Sequence, residues 1–270
     1  MIASTDSISL APGVSVERGQ LADAVRGDAW PLNASGAFVL ARVGRPVGVV
    51  VRELAEAFSL TAEQARADVL LFVSQLNRLA LVNVERESSR LWQVVHWLRL
   101  AALLAPAGRL PVAVSRRRAL DTGSVARALA SSLAAVLPRS FLVGVVATVL
   151  GLQLSLLVGT GPVVAVLVGA GTGLGLGLHE SVHAVLLRGV PSAFIVRGRR
   201  TYVLHARVGS RRRAIVAVGG PLTTSLLGVG LVAAGAALTA PVLAVAGLPL
   251  AAHAMALTVV GGDGRVACGL

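Results

Sequence analysis

The second half of the chain is almost continuously apolar, and this constrains the fold more than any other feature of the sequence. Four segments there are each long enough to cross a bilayer as a helix: Phe141–Val158, Val163–Leu187, Ala214–Leu238 and Pro241–Val260. The whole chain is 55% hydrophobic and 14% charged, with a mean hydropathy of +0.77, which is typical of a membrane protein. Gly219-Gly220-Pro221 is expected to interrupt the third segment. We therefore predict an all-α polytopic membrane domain of about four transmembrane helices over residues 140–270.

A His-Glu-x-x-His motif, formed by His179, Glu180 and His183, lies inside the second apolar segment. On a helix, two histidines four residues apart share one face, where their imidazoles can bind a single Zn²⁺. Glu180 would then take a proton from a water on the metal, the general-base role in peptide hydrolysis. Ionisable residues are costly inside a membrane segment and are functional by default. We therefore predict a zinc site with two histidine ligands and Glu180 as its catalytic residue.

The third metal ligand is predicted from the scarcity of acidic residues. The 149 residues after Asp121 contain two side-chain carboxylates, Glu180 and Asp263. A catalytic zinc with two histidine ligands needs a third protein ligand and one open position. Asp263, in Gly-Gly-Asp-Gly-Arg, is the acidic residue left to supply it; the alternative is an ordinary Gly-Asp-Gly turn. The single cysteine, Cys268, excludes an internal disulfide and a cysteine cage around the zinc.

The distribution of arginine predicts the membrane topology. Arginines lie before the first apolar segment and in the loop between the second and third, whereas the connections 159–162 and 239–241 carry no charge. The positive-inside rule then places both termini and the long loop in the cytoplasm. His179, His183 and Asp263 would lie toward that same face. We predict a multi-pass protein of the cell membrane, in contact with lipid, whose N-terminal domain and C-terminus are cytoplasmic.

A β-hairpin is predicted in the long loop between the second and third segments. Ala193–Val196 and Tyr202–Val208 alternate apolar and polar residues around a basic turn. A hairpin near the zinc could hold an extended substrate along its edge, or the loop could serve only to orient the protein in the membrane. His205 and His253 are expected to make local hydrogen bonds rather than to bind zinc.

Residues 1–88 predict a separate winged-helix α+β domain. Short strands, three helices and a last strand are expected in this order: Ile8–Leu10, Val14–Glu17, Leu21–Val25, Asn33–Ala41, Val49–Phe58, a helix from Thr61 and Leu81–Val84. Thr61 and Gln64 form a capping box at the start of the third helix. The domain holds 10 acidic and 8 arginine side chains, a net charge of −2. Because duplex binding needs a basic face, we exclude nucleic acid as a partner.

Residues 89–139 are predicted to be a connector between the two domains. Leu91–Leu104 is apolar but short, which favours an amphipathic helix at the membrane interface. Arg116–Arg118 is interpreted as the cytoplasmic flank of the first transmembrane segment. Ser124–Val136 is a second amphipathic stretch, expected to end at Pro138.

Over about residues 7–85 the N-terminal domain resembles the PqqD-like family, the precursor-peptide recognition domains of ribosomally made, modified peptides. The similarity is carried by Trp30–Gly36, Arg52–Phe58 and Gln75–Val82. It implies that a leader peptide is captured as an added strand on an exposed sheet edge. A regulatory domain with another ligand is the alternative.

Over about residues 141–270 the chain resembles the site-2 protease family of intramembrane zinc metalloproteases. The similarity is carried by the His-Glu-x-x-His motif, Gly219–Leu222 and Gly262–Gly264. It implies that His179, His183 and Asp263 are the metal ligands and that Glu180 is the base. It also implies that Gly220, Pro221 and Thr224 position the substrate. Two features depart from the family pattern. Thr224 stands where the family often has Asn, and an Asn-Leu-x-Pro stretch is missing before Asp263.

Together these features predict a zinc-dependent endopeptidase of the membrane. Its substrate would be a ribosomally synthesised precursor peptide, whose leader it removes after recognition by the N-terminal domain. Two alternatives remain. One is a regulatory intramembrane protease that releases a membrane-bound factor, and the other is an inactive membrane-tethered scaffold that binds peptides.

Overall fold

The structure is a computed structural model that describes residues 2–85, 114–158, 161–197 and 200–257. It divides into two compact units. The N-terminal unit comprises residues 1–119 and 191–206, and the helical unit comprises residues 120–190 and 207–270. Asp263 and the predicted interfacial helix Leu91–Leu104 lie outside the described residues.

Two small sheets form the β part of the N-terminal region. Strand β1 (Ser7–Leu10) pairs antiparallel with β5 (Val82–Glu85). Strands β2 (Val14–Glu17), β3 (Gln20–Asp23) and β4 (Asp28–Pro31) form an antiparallel meander in that order. The predicted strands are therefore present, and β4 is one that the sequence analysis did not predict.

Three helices stand between β4 and β5: α1 (Ala34–Leu40), α2 (Val47–Phe58) and α3 (Ala62–Arg78). The predicted caps are confirmed, since Asn33 accepts a hydrogen bond from the Gly36 N–H and Thr61 forms the reciprocal capping box with Gln64. Apolar side chains of all three helices pack with β1 and β5 into one buried core. Local signals thus placed these helices to within two residues.

The winged-helix architecture is not confirmed. A wing is a pair of strands after the third helix, whereas β5 is the single strand described between α3 and the end of the first described segment. It pairs with β1 at the start of the chain instead. The region is accurately described as a small β-rich domain with three helices.

A third sheet belongs to the N-terminal unit and has the order β6–β7–β8, from Ser115–Leu120, Ser192–Arg197 and Arg200–His205. Strands β7 and β8 form the predicted hairpin, with Phe194 opposite Val203. Strand β6 was not predicted. Arg117, which the sequence analysis used only as part of a membrane flank, is 1% exposed within this strand.

The helical unit contains α4 (Val125–Val158), α5 (Pro162–Leu186), α6 (Ser210–Ala237) and α7 (Pro241–Ala251), continued by the 3₁₀ helix Ala252–Leu257. Within the described residues, α4, α5 and α6 are long and apolar enough to cross a membrane, which suggests a membrane protein. The predicted count of four spans is not confirmed, because the apolar helix from Pro241 is shorter.

Two predicted helix breaks do not occur. Pro138 lies inside α4 and Pro221 lies inside α6, and both helices continue through them. A proline removes one backbone donor, but in apolar surroundings a helix is the way to satisfy the remaining backbone groups, so neighbouring turns keep their hydrogen bonds. In α6 the Thr224 hydroxyl donates to the Gly220 carbonyl, an additional hydrogen bond in the turn that contains the proline.

Alternating glycines let α5 approach two neighbours at once. A Cβ on Gly173 would lie 2.7 Å from the Ser140 carbonyl oxygen of α4, and one on Gly171 would lie 2.7 Å from the Ala246 carbonyl oxygen of α7. Residues two apart on a helix point about 200° apart, so the alternation places small residues on opposite faces. One set of these glycines therefore packs against α4, and the alternate set packs against α7.

Candidate active site

His179, Glu180 and His183 lie in the last two turns of α5, as the sequence predicted. Their relative exposures are 8%, 7% and 6%, so all three are buried in the helical unit. The Ser181 hydroxyl, between them in sequence, lies 3.2 Å from the Ser132 hydroxyl of α4. This contact fixes the end of α5 that carries the motif against α4.

The two imidazoles are oriented toward each other. The Nε2 atoms of His179 and His183 are 3.1 Å apart, and the ring planes are inclined by 74°. His183 Nδ1 lies 2.7 Å from the Val216 carbonyl oxygen on α6. A carbonyl can only accept, so this bond places the proton on Nδ1 and leaves Nε2 with its lone pair. His183 thus presents an acceptor nitrogen toward His179.

This geometry fits a pair of zinc ligands. Two nitrogens at the usual Zn–N distance of about 2.0–2.1 Å and a tetrahedral angle would be separated by about 3.3 Å. The observed 3.1 Å between the Nε2 atoms is close to that value. The Val216 carbonyl bonded to Nδ1 is the kind of second partner that orients metal-binding histidines. Within the described segments no group of three His, Cys, Asp or Glu side chains could hold a metal, and the predicted third ligand, Asp263, falls outside them.

Helix α6 reaches the histidines because residue 220 is glycine. A Cβ there would lie 2.7 Å from His183 Nε2 and 2.9 Å from the His179 carbonyl oxygen. The next turn carries Pro221 and the fully buried Thr224, whose hydroxyl is engaged by its own helix. Gly220 therefore lies directly against the histidine pair. The substrate-positioning role of Gly220, Pro221 and Thr224 stays a prediction.

Arg139 of α4 belongs to the same polar cluster and was missed by the sequence analysis, which used it only as a topological charge. It is 7% exposed and interacts electrostatically with Glu180. From residue 122 to residue 257 Glu180 is the one side-chain carboxylate in the sequence. A buried cation needs an opposite charge nearby. Because carboxylates are so scarce in this region, the sequence could have predicted that Arg139 pairs with Glu180.

His253, in the 3₁₀ helix, approaches the site from the other side of α5. Its Nδ1 lies 3.1 Å from the Pro249 carbonyl oxygen, which confirms the predicted local hydrogen bond. Its ring centre is 5.6 Å from that of His179, and a Cβ on Gly175 would lie 2.6 Å from its Cε1 atom. Gly175 thus makes room for this imidazole one turn before His179. His205 also makes the expected local contact, with Nδ1 2.7 Å from the Ala206 carbonyl oxygen.

An apolar groove of about 640 Å³ runs along α4 and α5 and reaches Ser181, the residue after Glu180. Leucine, valine and glycine dominate its lining, and Ser140 and Thr148 add polar atoms. The Ser140 hydroxyl is buried and has no hydrogen-bond partner in the described part of the chain. The groove therefore connects an apolar face of the helix pair with the polar end of α5.

The comparisons with known proteins address the N-terminal region. Residues 17–82 match the family model of coenzyme PQQ synthesis protein D (PqqD), a segment that runs from the end of β2 to the start of β5. No curated protein and no solved structure gives a significant match to the chain. The PqqD match supports the prediction of a precursor-peptide recognition domain and suggests a peptide-binding role in the biosynthesis of modified peptides. The site-2 protease resemblance receives no support from these comparisons and stays a prediction.

Proposed function

We propose that the protein is a membrane zinc endopeptidase that cleaves a precursor peptide captured by its PqqD-like domain. The observation that carries the proposal is the buried pair of Nε2 atoms, 3.1 Å apart, with Glu180 beside them on a helix long enough to cross a membrane. Burying three ionisable side chains in such a helix costs free energy, so their presence indicates a function. The separation of the two nitrogens suits two ligands of one tetrahedral metal.

His179 and His183 would hold the zinc through their Nε2 atoms, with Asp263 as the proposed third ligand. Bound Zn²⁺ supplies Lewis acidity to the attacking water and to the scissile carbonyl. Glu180 accepts the proton that the water loses as its oxygen bonds to the carbonyl carbon, and then delivers this proton to the departing amine nitrogen. The peptide C–N bond breaks to give a carboxylic acid and an amine, and the amine takes up the proton that the acid then loses. Glu180 is thereby returned to its ionised starting state.

Arg139 is proposed to hold the Glu180 carboxylate in place between these two proton transfers. The guanidinium is buried with the carboxylate and attracts it. Attraction between two buried opposite charges is stronger than at the surface, so it can hold the carboxylate in place. Arg139 would act through Glu180 and not on the peptide itself, so it is a positioning residue.

The N-terminal unit is proposed to select the substrate. Its PqqD-like segment supports peptide recognition, and among the described strands β4 lies at a sheet edge that can pair with an extended peptide. We further propose that this unit faces the cytoplasm, because the arginine-rich loop 188–213 satisfies the positive-inside rule there. Reporters fused after Leu270 and within residues 198–200 should report the cytoplasm, and one at residues 159–161 should report the outside.

The proposal is tested by zinc content and peptide cleavage of the full chain in detergent. Glu180→Gln should retain zinc but lose about 10²-fold or more of its cleavage rate on a quenched fluorescent peptide library, because it removes the base and no ligand. His183→Ala should lose both zinc and cleavage. His205→Ala is the matched control, since that histidine lies in β8, and it should change neither. Cleavage by Glu180→Gln at the parental rate would contradict the mechanism.

A peptide-binding scaffold without catalysis is the second candidate, favoured by the PqqD match taken alone. An inactive site has no reason to retain metal, so purified protein without zinc that still binds precursor peptide would support the scaffold. A regulatory protease is distinguished by its substrate: it would cleave a membrane-bound protein whose cleavage does not depend on residues 17–82.

A further inference from the structure

Strand β6 is held against the PqqD-like domain in the way that a peptide ligand is held. The Asn77 side chain accepts from the Ser115 N–H and donates to the Ser115 carbonyl, both at 2.8 Å. The Asn83 side chain does the same for Arg117, at 2.7 and 3.0 Å. Alternate residues of a strand face the same side, so two amides read the backbone of positions 115 and 117. This recognition requires an extended backbone and no particular side chain.

One side chain of the strand is recognised specifically. The Arg117 guanidinium makes two parallel hydrogen bonds of 2.8 Å to the carboxylate of Asp23, and neither side chain is exposed to solvent. Gly13, with φ of +78°, lines the approach, since a Cβ there would lie 3.3 Å from the guanidinium. Arg26 also pairs with Asp23, at 3.0 Å. The bidentate fork selects arginine over lysine.

The cost of this arrangement argues for recognition. Burying an ion pair usually contributes no more to stability than apolar side chains of the same size would. The neighbouring Arg116 is exposed and Arg118 is only half-buried, so one arginine of three enters the domain. A strand that served only as a support could have carried an apolar residue at 117. The structure instead keeps a cleft that reads an extended backbone and one arginine.

We propose that Asp23, Asn77 and Asn83 form a binding cleft for an extended, arginine-bearing peptide, with β6 as its resident occupant. A precursor peptide with an arginine at the matching position would bind by displacing β6 and taking over the Asp23 fork and the asparagine contacts. The inference deepens the proposed peptide recognition and rests on it.

Displacement sets the affinity that is expected. The occupant is part of the same chain, so its effective concentration at the cleft is on the order of millimolar. A free peptide binds only the fraction of molecules in which the cleft is open, which weakens its apparent affinity by that fraction. A substitution that releases β6 should therefore tighten the binding of an added peptide.

The test uses full-length protein in detergent and a fluorescent peptide, Val-Ser-Arg-Arg-Arg-Ala-Leu, which repeats residues 114–120. Arg117→Ala should bind this peptide about 10-fold or more tightly than the parent does. Arg116→Ala, which changes the exposed neighbour, should bind like the parent. Adding Asp23→Ala to Arg117→Ala should abolish the gain, as should replacing the central arginine of the peptide with alanine.

Arg117→Lys is a second, milder variant for use if Arg117→Ala loses its secondary structure. It keeps the charge but not the fork, and should bind the peptide with intermediate affinity. Equal affinity of the parent and the Arg117 variants, or tighter binding that survives Asp23→Ala, would overturn the cleft. The outcome is independent of the protease proposal: zinc content and Glu180-dependent cleavage can hold while the cleft fails, and the cleft can bind peptide while cleavage fails.

Discussion

In the N-terminal unit buried polar side chains join strand β6 to β3, α3 and β5, whereas in the helical unit the buried ionisable side chains of the described residues lie around one site. Asp23, Asn77 and Arg117 each bond to a residue at least 34 positions away in sequence. The α4–α5–α6 contacts instead use glycine, and the site collects Glu180, Arg139 and two imidazoles. Long-range polar contacts thus help to hold the first unit together, whereas the buried ionisable side chains of the second unit form the candidate site. Substitutions should therefore affect stability in one unit and metal binding in the other.

The largest effect is expected at Gly220, where packing and chemistry meet. The Cβ of Gly220→Ala would lie 2.7 Å from His183 Nε2, and His183 cannot retreat because its Nδ1 is bonded to Val216. We expect zinc content to fall and cleavage to drop by about 10²-fold, since small misplacements of catalytic groups have effects of that size. Metal analysis and cleavage rates provide the measurement.

Gly230→Ala is the matched control on the same helix, because nothing lies within 4 Å of its added Cβ. It should leave zinc content and cleavage at the parental level. Normal zinc content in Gly220→Ala would show that α6 moves away from the histidines easily. It would also contradict the expectation that substitutions in the helical unit act on metal binding.

Asp23→Asn should produce the largest loss of stability in the N-terminal unit. It leaves the buried Arg117 cation without its opposite charge, a change that costs about 3–5 kcal/mol in unfolding free energy when one partner of a buried pair is removed. The amide oxygen still accepts one hydrogen bond, so we expect a value of about 3 kcal/mol. Urea unfolding monitored within this unit gives the measurement, and zinc content should be unchanged.

The same carboxyl predicts a dependence on pH. Burial by itself raises the pKa of Asp23, but hydrogen bonds and charge from Arg117, with the Val25 and Arg26 N–H groups, hold that pKa below its ordinary value of 3.8. A depressed pKa in the folded state means that the stabilisation is complete above pH 3.8 and is lost as the pH falls through the folded pKa. Asp23→Asn should reduce this loss of unfolding free energy at acid pH. The same acid-dependent loss in Asp23→Asn would show that other carboxyl groups control the pH dependence of stability.

What the sequence could predict follows the range of the interactions. The capping box of Thr61 and Gln64 and the cap at Asn33 are local, and both were found where expected. The His-Glu-x-x-His motif is also local, since its spacing places both imidazoles on one face of α5. Strand β6 is held by partners 34 to 94 positions away, and no local pattern announces such contacts. Its three arginines were interpreted as the cytoplasmic flank of a transmembrane segment instead.

Helix breaks were over-predicted for a related reason. A proline breaks a helix where water can satisfy the freed carbonyl, whereas apolar surroundings favour continuing the helix around it. Pro138 and Pro221 lie in such surroundings. The pairing of Arg139 with Glu180 required knowing which face of α4 meets α5, and the alternating glycines gave both faces of α5 equal weight. Contacts between helices were therefore the part that sequence periodicity could not assign.

A moderate effect in the helical unit is expected from its glycines. The Cβ of Gly173→Ala would lie 2.7 Å from the Ser140 carbonyl oxygen, which is backbone and cannot give way, so we expect a loss of about 1–3 kcal/mol in stability. Gly177→Ala is the matched control one turn later, because its nearest neighbour, the Ser140 hydroxyl, lies at an ordinary 3.5 Å. It should be neutral or stabilising by up to about 1 kcal/mol, the helix preference for Ala over Gly. Thermal unfolding in detergent compares the two, and equal losses would mean that α4 and α5 do not meet through this face.

The smallest effect tests whether local capping matters within a unit held by long-range polar contacts. The Thr61 hydroxyl accepts from the Gln64 N–H at 3.2 Å, in an exposed position at the start of α3. Thr61→Ala removes this acceptor and should cost about 1 kcal/mol in unfolding free energy, whereas Thr61→Ser keeps the hydroxyl and should cost much less. The loss should be confined to the N-terminal unit, with zinc content and Glu180-dependent cleavage unchanged. A Thr61→Ala loss equal to that of Asp23→Asn would show that the start of α3, and not the Asp23–Arg117 pair, limits the stability of this unit.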